Sequence, residues 1–229
     1  MAKKQQQKFE KQDEQLQEVN QALTGAGKWI EDHSNMLSWC VCGIAVVIFG
    51  IILLNQKVLQ PKAQDASNYN AAATVYFLQG DFDKALEGDG TEECIGFEAT
   101  AQEYSFYQEG KLAALYAGIC YFEKGEYESA AEFLSKFDAD DLTVAPAAKQ
   151  LLGDAYVELE EYGKAAKAFE AAAKSGNEII APMSLKKAGL VYLHEQNNAK
   201  ALKAFKAIKE KYPQSAEAQD IDKYIAIAQ

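Results

Sequence analysis

From Met36 to Leu54 the chain reads MLSWCVCGIAVVIFGIILL, 19 residues without a charge and with only Ser38 as a clearly polar interruption. At about 1.5 Å of rise per residue, such a helix covers about 28 Å, close to the roughly 30 Å hydrocarbon core of a bilayer. Buried helices of soluble cores rarely run this long without a charge, so hydropathy predicts a membrane span over 36–54. Ser34 and Asn35 precede it, Asn55, Gln56 and Lys57 follow it, and Trp29 and Trp39 lie near its amino-terminal edge, where indoles favour the interface. A cleaved signal peptide fits poorly. The preceding 35 residues carry six acids, and no A-x-A-like site follows Leu54. A retained anchor fits better.

Orientation follows from lysine placement. Lys3, Lys4, Lys8, Lys11 and Lys28 lie in the short tail, against Lys57 and Lys62 just after the span, although close to the membrane the count reverses. The short side is where the positive-inside rule applies, which predicts the tail inside and the large domain outside. The tail, 1–35, is polar and expected to be partly helical. Phe9, Leu16 and Leu23 stand seven apart with Val19 between the last two, but Gln12 occupies the matching earlier position. That is short of a coiled coil.

Composition removes whole classes of function. All 23 basic residues are Lys, set against 34 acids for a net charge of −11. Without Arg, an acidic chain lacks the bidentate guanine contacts and phosphate neutralisation of nucleic-acid readers. His33 and His194, the only histidines, argue against a His-rich metal centre.

After Pro61 the pattern is helical and repeats. Gly118, Gly153 and Gly189 fall in register, spaced 35 and 36 residues apart; Tyr121, Tyr156 and Tyr192 follow three residues later. Ala130, Ala165 and Ala201 come 12 after each Gly, and Leu134, Phe169 and Phe205 four further on. This resembles the tetratricopeptide repeat, whose period is about 34 residues. A small residue at the Gly position lets the first helix of a hairpin approach the second, and the large residue closes the layer. Tyr212-Pro213 ends the last full repeat. An earlier unit keeps Ala73, Tyr76, Gly80, Phe82 and Ala85 but breaks at EGDGTEE, Glu87 to Glu93, an insertion of roughly ten residues against the usual period. Ser215 is a candidate N-cap for a last helix, to about Ala228, that covers the open end of the stack.

The predicted organisation is a tail (1–35), a span (36–54), a linker (55–63) and a repeat domain (64–229). The fold class is all-α: one transmembrane helix, then a right-handed tetratricopeptide solenoid with a C-terminal capping helix. ALEGDG, YAGICY and KAGLVY, together with this architecture, are similar to the bacterial ancillary SecYEG translocon subunit family and its membrane-anchored relatives. That resemblance implies an inner-membrane protein with a cytoplasmic tail and periplasmic repeats. Its implied partners are the Sec translocon, envelope chaperones or secreted clients. The longer Gln-rich tail departs from the shortest members. The alternative is a scaffold or assembly factor of another cell-envelope complex, coupled through the tail.

Catalytic and cofactor motifs do not survive weighing, and the chain reads as no enzyme. His194-Glu195 lacks the second His of H-E-x-x-H, and Gly88-Asp89-Gly90 lacks the Lys-Ser/Thr of a phosphate loop. Asp81, Asp83, Glu87 and Asp89 do not match calcium-loop spacing and read as turn and cap residues. Cys94 and Cys120 read as packing thiols, with a disulfide between them as the alternative in an oxidising compartment. Gly43 and Gly50, one heptad apart in the span, are either a helix-contact face or ordinary span glycines. No cofactor, metal or small-molecule substrate is implied, and lipid contact is confined to 36–54. Repeat register predicts a partner-binding groove lined by Asn70, Thr74 and Phe77, then Leu115, Ile119 and Phe122, then Gln150, Asp154 and Val157, then Lys186, Leu190 and Leu193. The chain's own terminal helices are the competing cover for it. Charge is uneven along the array: 55–163 carries 7 Lys against 21 acids, and 164–229 carries 11 Lys against 7.

Overall fold

The computed structural model describes residues 33–229, and every regular element among them is helical. The heptad trace of Phe9, Leu16 and Leu23 lies outside these residues. Two compact units divide the chain, the first ending at Gln60 and the second running from Pro61 to Gln229.

In the first unit the apolar run forms α1, Ser34–Leu54. Every described side chain along it is exposed, Trp39 at 78% and Val46 at 70%. The helix is long and apolar enough to cross a membrane. It passes into a single π turn, Asn55–Leu59, in which the Gln60 N–H donates to the Asn55 carbonyl. Pro61, which has no N–H and crowds the carbonyl four residues back, accounts for this widening. The stretch 55–63, expected as a linker, is therefore helical. Asn55, Gln56 and Lys57 do not break a helix, and the π turn accommodates Pro61.

The second unit is a run of helical hairpins. The first pairs α2 (Gln60–Gln79) with α3 (Phe82–Glu87) and α4 (Gly96–Glu103), split by the insertion. Then come α5 (Gln108–Glu123) with α6 (Tyr127–Lys136), α7 (Val144–Glu158) with α8 (Tyr162–Ala173), and α9 (Ile180–His194) with α10 (Asn198–Lys211). A 3-10 turn, Ala216–Asp220, and α11 (Ile221–Ile227) close the end. The Ser215 hydroxyl accepts the Ala218 N–H as expected, but the helix it caps begins as that 3-10 turn. Ile221 and Ala228 then bury against Phe205 and Ile208.

Every hairpin turns in the same way. Gly80, Gly125, Glu160 and Gln196 adopt φ of 76°, 77°, 58° and 58°. The residues after them, Asp81, Glu126, Glu161 and Asn197, donate back to the carbonyls of Tyr76, Tyr121, Tyr156 and Tyr192. This is the Schellman closure, which wants glycine at the left-handed position because a Cβ costs about 1–2 kcal/mol there. Two turns lack it. Glu160→Gly and Gln196→Gly should each stabilise the array by about 1 kcal/mol, raising the melting temperature by roughly 2–4 °C. Thermal melts followed by circular dichroism read this directly, and a lowered midpoint would count against the turn assignment.

The repeated residues explain the packing. A Cβ added at Gly118 would lie 2.6 Å from Leu134 Cγ; at Gly153, 2.5 Å from Phe169 Cε1; at Gly189, 2.3 Å from Phe205 Cε1. Each glycine is thus the hole into which the large residue of its own hairpin fits. Ala130, Ala165 and Ala201 are wholly buried beside them.

Junctions between hairpins differ in chemistry. From the second hairpin to the first, the Tyr121 hydroxyl donates to Glu98 at 2.8 Å, and Lys124 pairs with Asp83 at 2.7 Å. From the fourth to the third, Tyr192 donates to Glu170 at 2.7 Å, and Lys187 grips Asp154 at 2.6 and 2.7 Å. Burial, reinforced by the glutamate each faces, pushes both phenols well above the ordinary tyrosine range. Between the second and third hairpins no polar side chain bridges α5 or α6 to α7 or α8 among the described residues. That junction is apolar, formed by Leu115, Leu134 and Ala148 on one side and Ala130, Ala131 and Ala155 on the other.

The insertion is ordered by glycine and one aspartate. Gly88, Gly90 and Gly96 all take positive φ, of 85°, 85° and 81°. Asp89 accepts from the Thr91 N–H and hydroxyl and from the Tyr76 hydroxyl. Those bonds, led by the Thr91 hydroxyl, hold its carboxyl below the usual range. Asp81 caps α3 by accepting the Lys84 N–H. Cys94 and Cys120 are free thiols buried in one core cluster, and burial pushes Cys120 up to about 12.

Candidate interaction site

Of the twelve residues predicted to line a groove, only Leu190 is exposed, at 41%. The polar ones mostly bind neighbouring helices. Asn70 is buried and donates to the Glu109 carbonyl at 2.8 Å, while Thr74 bonds the Asn70 carbonyl. Gln150 accepts from the Ser184 hydroxyl at 2.9 Å, Asp154 holds Lys187, and Lys186 reaches Asp220 at 2.7 Å. The apolar ones pack. Leu115 is buried with Leu134 and Ala148, and Ile119 lies against the same cluster. Phe77 meets Phe97 and Tyr116 edge-on, Phe122 meets Tyr127, and Val157 and Leu193 join the cluster around Phe169 and Phe205. Repeat register names the face a residue occupies but not the closeness of the next helix. Here neighbouring helices, first and second alike, meet most of these side chains.

Two other surfaces stand open. Along α10, a cleft of about 450 Å³ is lined by Leu202, Lys203, Lys206, Ala207 and Lys211, among others. Another of about 330 Å³ lies between α8 and α10 and shares Lys203, Ala207 and Lys211 with it. Lys200, Lys203, Lys206 and Lys209 recur every third residue along α10; Lys209 is paired with Asp222 at 2.6 Å, and Lys200 sits over the Tyr192 ring. The sequence signal for these clefts was the lysine spacing with small residues between.

The second surface is the edge where each hairpin joins the next. A hollow of about 300 Å³ there is bounded by Asp140, Asp141 and Leu142, with Ala145, Pro146, Lys149 and Lys174 among its walls. Asp141 caps α7 by accepting from Thr143 at 2.7 Å and Ala145 at 3.0 Å, and the Thr143 bond leads in holding its carboxyl below the usual range. A depressed carboxyl lends stability above the ordinary carboxylate pKa of about 4, and loses it as pH falls through the lower folded value. Asp141→Ala should therefore melt earlier than the parent at neutral pH, with the gap closing steadily below about pH 4. A gap that persisted in acid would contradict a cap that works through its charge.

Hairpins with a long first helix and a shorter second, stacked through a glycine-to-large-residue contact, define a tetratricopeptide-type solenoid. Residues 151–216 and 112–139 each match a family model described as tetratricopeptide repeat. Among solved structures, one titled "Crystal structure of MamA protein" is similar, with 22% identity over 72% of this chain and 90% of that chain and a TM-score of 0.52. That likeness establishes the fold. No curated protein matches the chain.

Proposed function

We propose that the chain is a membrane-anchored protein-interaction scaffold, held in the bacterial inner membrane with its N-terminus cytoplasmic and its repeats periplasmic. The observation that carries the anchor is α1, an uncharged helix whose described side chains are all exposed. In water, bare apolar surface costs about 25 cal/mol per Å², and a bilayer removes that cost. The scaffold rests on the tetratricopeptide stretches, since such solenoids present continuous concave and convex surfaces to partners. Resemblance in architecture and wording to the translocon-associated family extends the reading to a place beside the Sec translocon, tethering envelope chaperones or receiving secreted chains. Partner contact on the first-helix face falls first to Leu190, the exposed member of the twelve.

Mild crosslinking in cells followed by affinity purification tests the assignment. Recovery of translocon subunits or envelope chaperones supports it; recovery of other envelope proteins alone removes the translocon and leaves the scaffold. Leu190→Lys should reduce the recovered partners without changing helicity. A cysteine placed at Gln229 and labelled in intact cells with a membrane-impermeant maleimide reads the orientation.

A further inference from the structure

Each connection from one hairpin to the next carries one large apolar side chain held out in water. Phe106, between α4 and α5, is 97% exposed; Leu142, between α6 and α7, 70%; Ile179, between α8 and α9, 72%. The backbone beneath two of them is tightly fixed. Asp141 caps α7 beside Leu142, and the Asn177 side-chain carbonyl accepts the N–H groups of Ile179 and Ile180 at 2.9 Å each. The Asn177 amide then donates to the Leu142 carbonyl at 2.8 Å, tying the two connections side by side. The bonds Ser184–Gln150 and Lys187–Asp154 advance together along α9 and α7, so these first helices run parallel and their connections share one edge. Around that edge Asp138, Asp140 and Glu178 are exposed, with no ion-pair partner among the described residues; Lys149 and Lys174 line the same hollow as Asp140 and Asp141, so acid stays in excess.

We propose that this edge is a docking strip for an amphipathic helix of a partner protein that carries Lys or Arg beside its apolar positions. The apolar points call for an apolar counterpart, and the excess of acid over Lys149 and Lys174 favours a basic one. The same acids repel an anionic lipid surface, which sets a protein helix above a bilayer as the occupant. Spacing supports a helix. Neighbouring packed helices stand about 8–10 Å apart, and one apolar residue every seventh position of a helix recurs at about 10.5 Å. The proposal builds on the scaffold reading and is independent of the translocon.

The test uses the whole chain in phosphatidylcholine nanodiscs and a labelled synthetic peptide of roughly three heptads, with leucine at every seventh position among lysine and alanine. A control peptide has the same composition with its leucines scattered. Anisotropy should show the patterned peptide binding at least tenfold more tightly than the scattered one. Leu142→Lys with Ile179→Lys should abolish that preference while leaving helicity and melting unchanged, because both side chains are exposed. Asp138→Lys with Asp140→Lys should weaken binding and flatten its salt dependence. Equal binding of the two peptides, or a preference kept by the Leu142/Ile179 variant, overturns the strip. A Leu142→Trp chain should show a fluorescence blue shift only when the patterned peptide is added. A shift already present without peptide means that lipid covers the edge, and overturns it too. In cells, failure of the parent chain to crosslink any protein refutes the scaffold reading; partners fully retained by the Leu142/Ile179 variant refute the strip alone.

Discussion

Alanine in place of Gly96 should unfold the first hairpin while the later ones stay helical. Gly96 has φ of +81°, and a Cβ there would lie 2.1 Å from the Leu86 carbonyl oxygen and 2.5 Å from the Gly88 nitrogen. Both are backbone atoms, so no side-chain rotation relieves the overlap. The left-handed conformation alone costs a non-glycine residue about 1–2 kcal/mol, and the overlap brings the expected loss to about 4 kcal/mol, the upper end for a single substitution. In a stacked array each repeat depends on its neighbours, so the damage appears first near its source. Cys94, 3% exposed in that hairpin, and Cys120 of α5, 0% exposed in the core cluster it shares with the second hairpin, report it. In a background with Cys40 and Cys42 replaced by serine, their modification by a thiol reagent should accelerate by orders of magnitude, with most far-ultraviolet dichroism retained. Unchanged thiol protection would show that the insertion relaxes around a methyl group.

The second large effect is predicted at Gly189. Alanine is the better helix former by about 1 kcal/mol, so an isolated helix would gain from the change. In the fold, the added Cβ lies 2.3 Å from Phe205 Cε1, and that ring is fully buried. Overpacking of this kind costs about 1–3 kcal/mol, occasionally more, and a net loss of about 2 kcal/mol is expected. Phe205→Leu, which restores the flexible partner that Gly118 already faces in Leu134, should relieve part of it. A thermal-melt cycle over the two positions should show a coupling of about 1 kcal/mol. Gly163→Ala is the control: nothing lies within 4 Å of its added Cβ, so its melting temperature should hold or rise.

The hairpins were legible because their determinants recur. Gly118, Gly153 and Gly189 with Leu134, Phe169 and Phe205 mark both partners of each contact, and three copies fix the period. The groove was less legible. Whether Asp154 faces a partner protein or Lys187 depends on a side chain 33 residues away, and no local pattern carries that distance. The π turn that makes 55–63 helical depends on hydrogen bonding around Pro61. Glu160 and Gln196 occupy left-handed positions without the glycine that announces them. Leu142 and Ile179 lie in connections, where periodicity has nothing to say about exposure.

The apolar junction between the second and third hairpins has a mechanical consequence. Ser135 stands where the repeat spacing places Glu170 one unit later, so among the described residues Tyr156 meets no acid like the ones that Tyr121 and Tyr192 reach. Directional bonds resist sliding, whereas dispersion contacts let packed helices shear by small amounts at little cost. The array is therefore expected to yield first at that seam, between two blocks held by directional bonds. A partner that grips both blocks selects a curvature, and one that grips a single block leaves the other free to swing. Cooling weakens apolar contacts before polar ones, so the seam softens first in the cold.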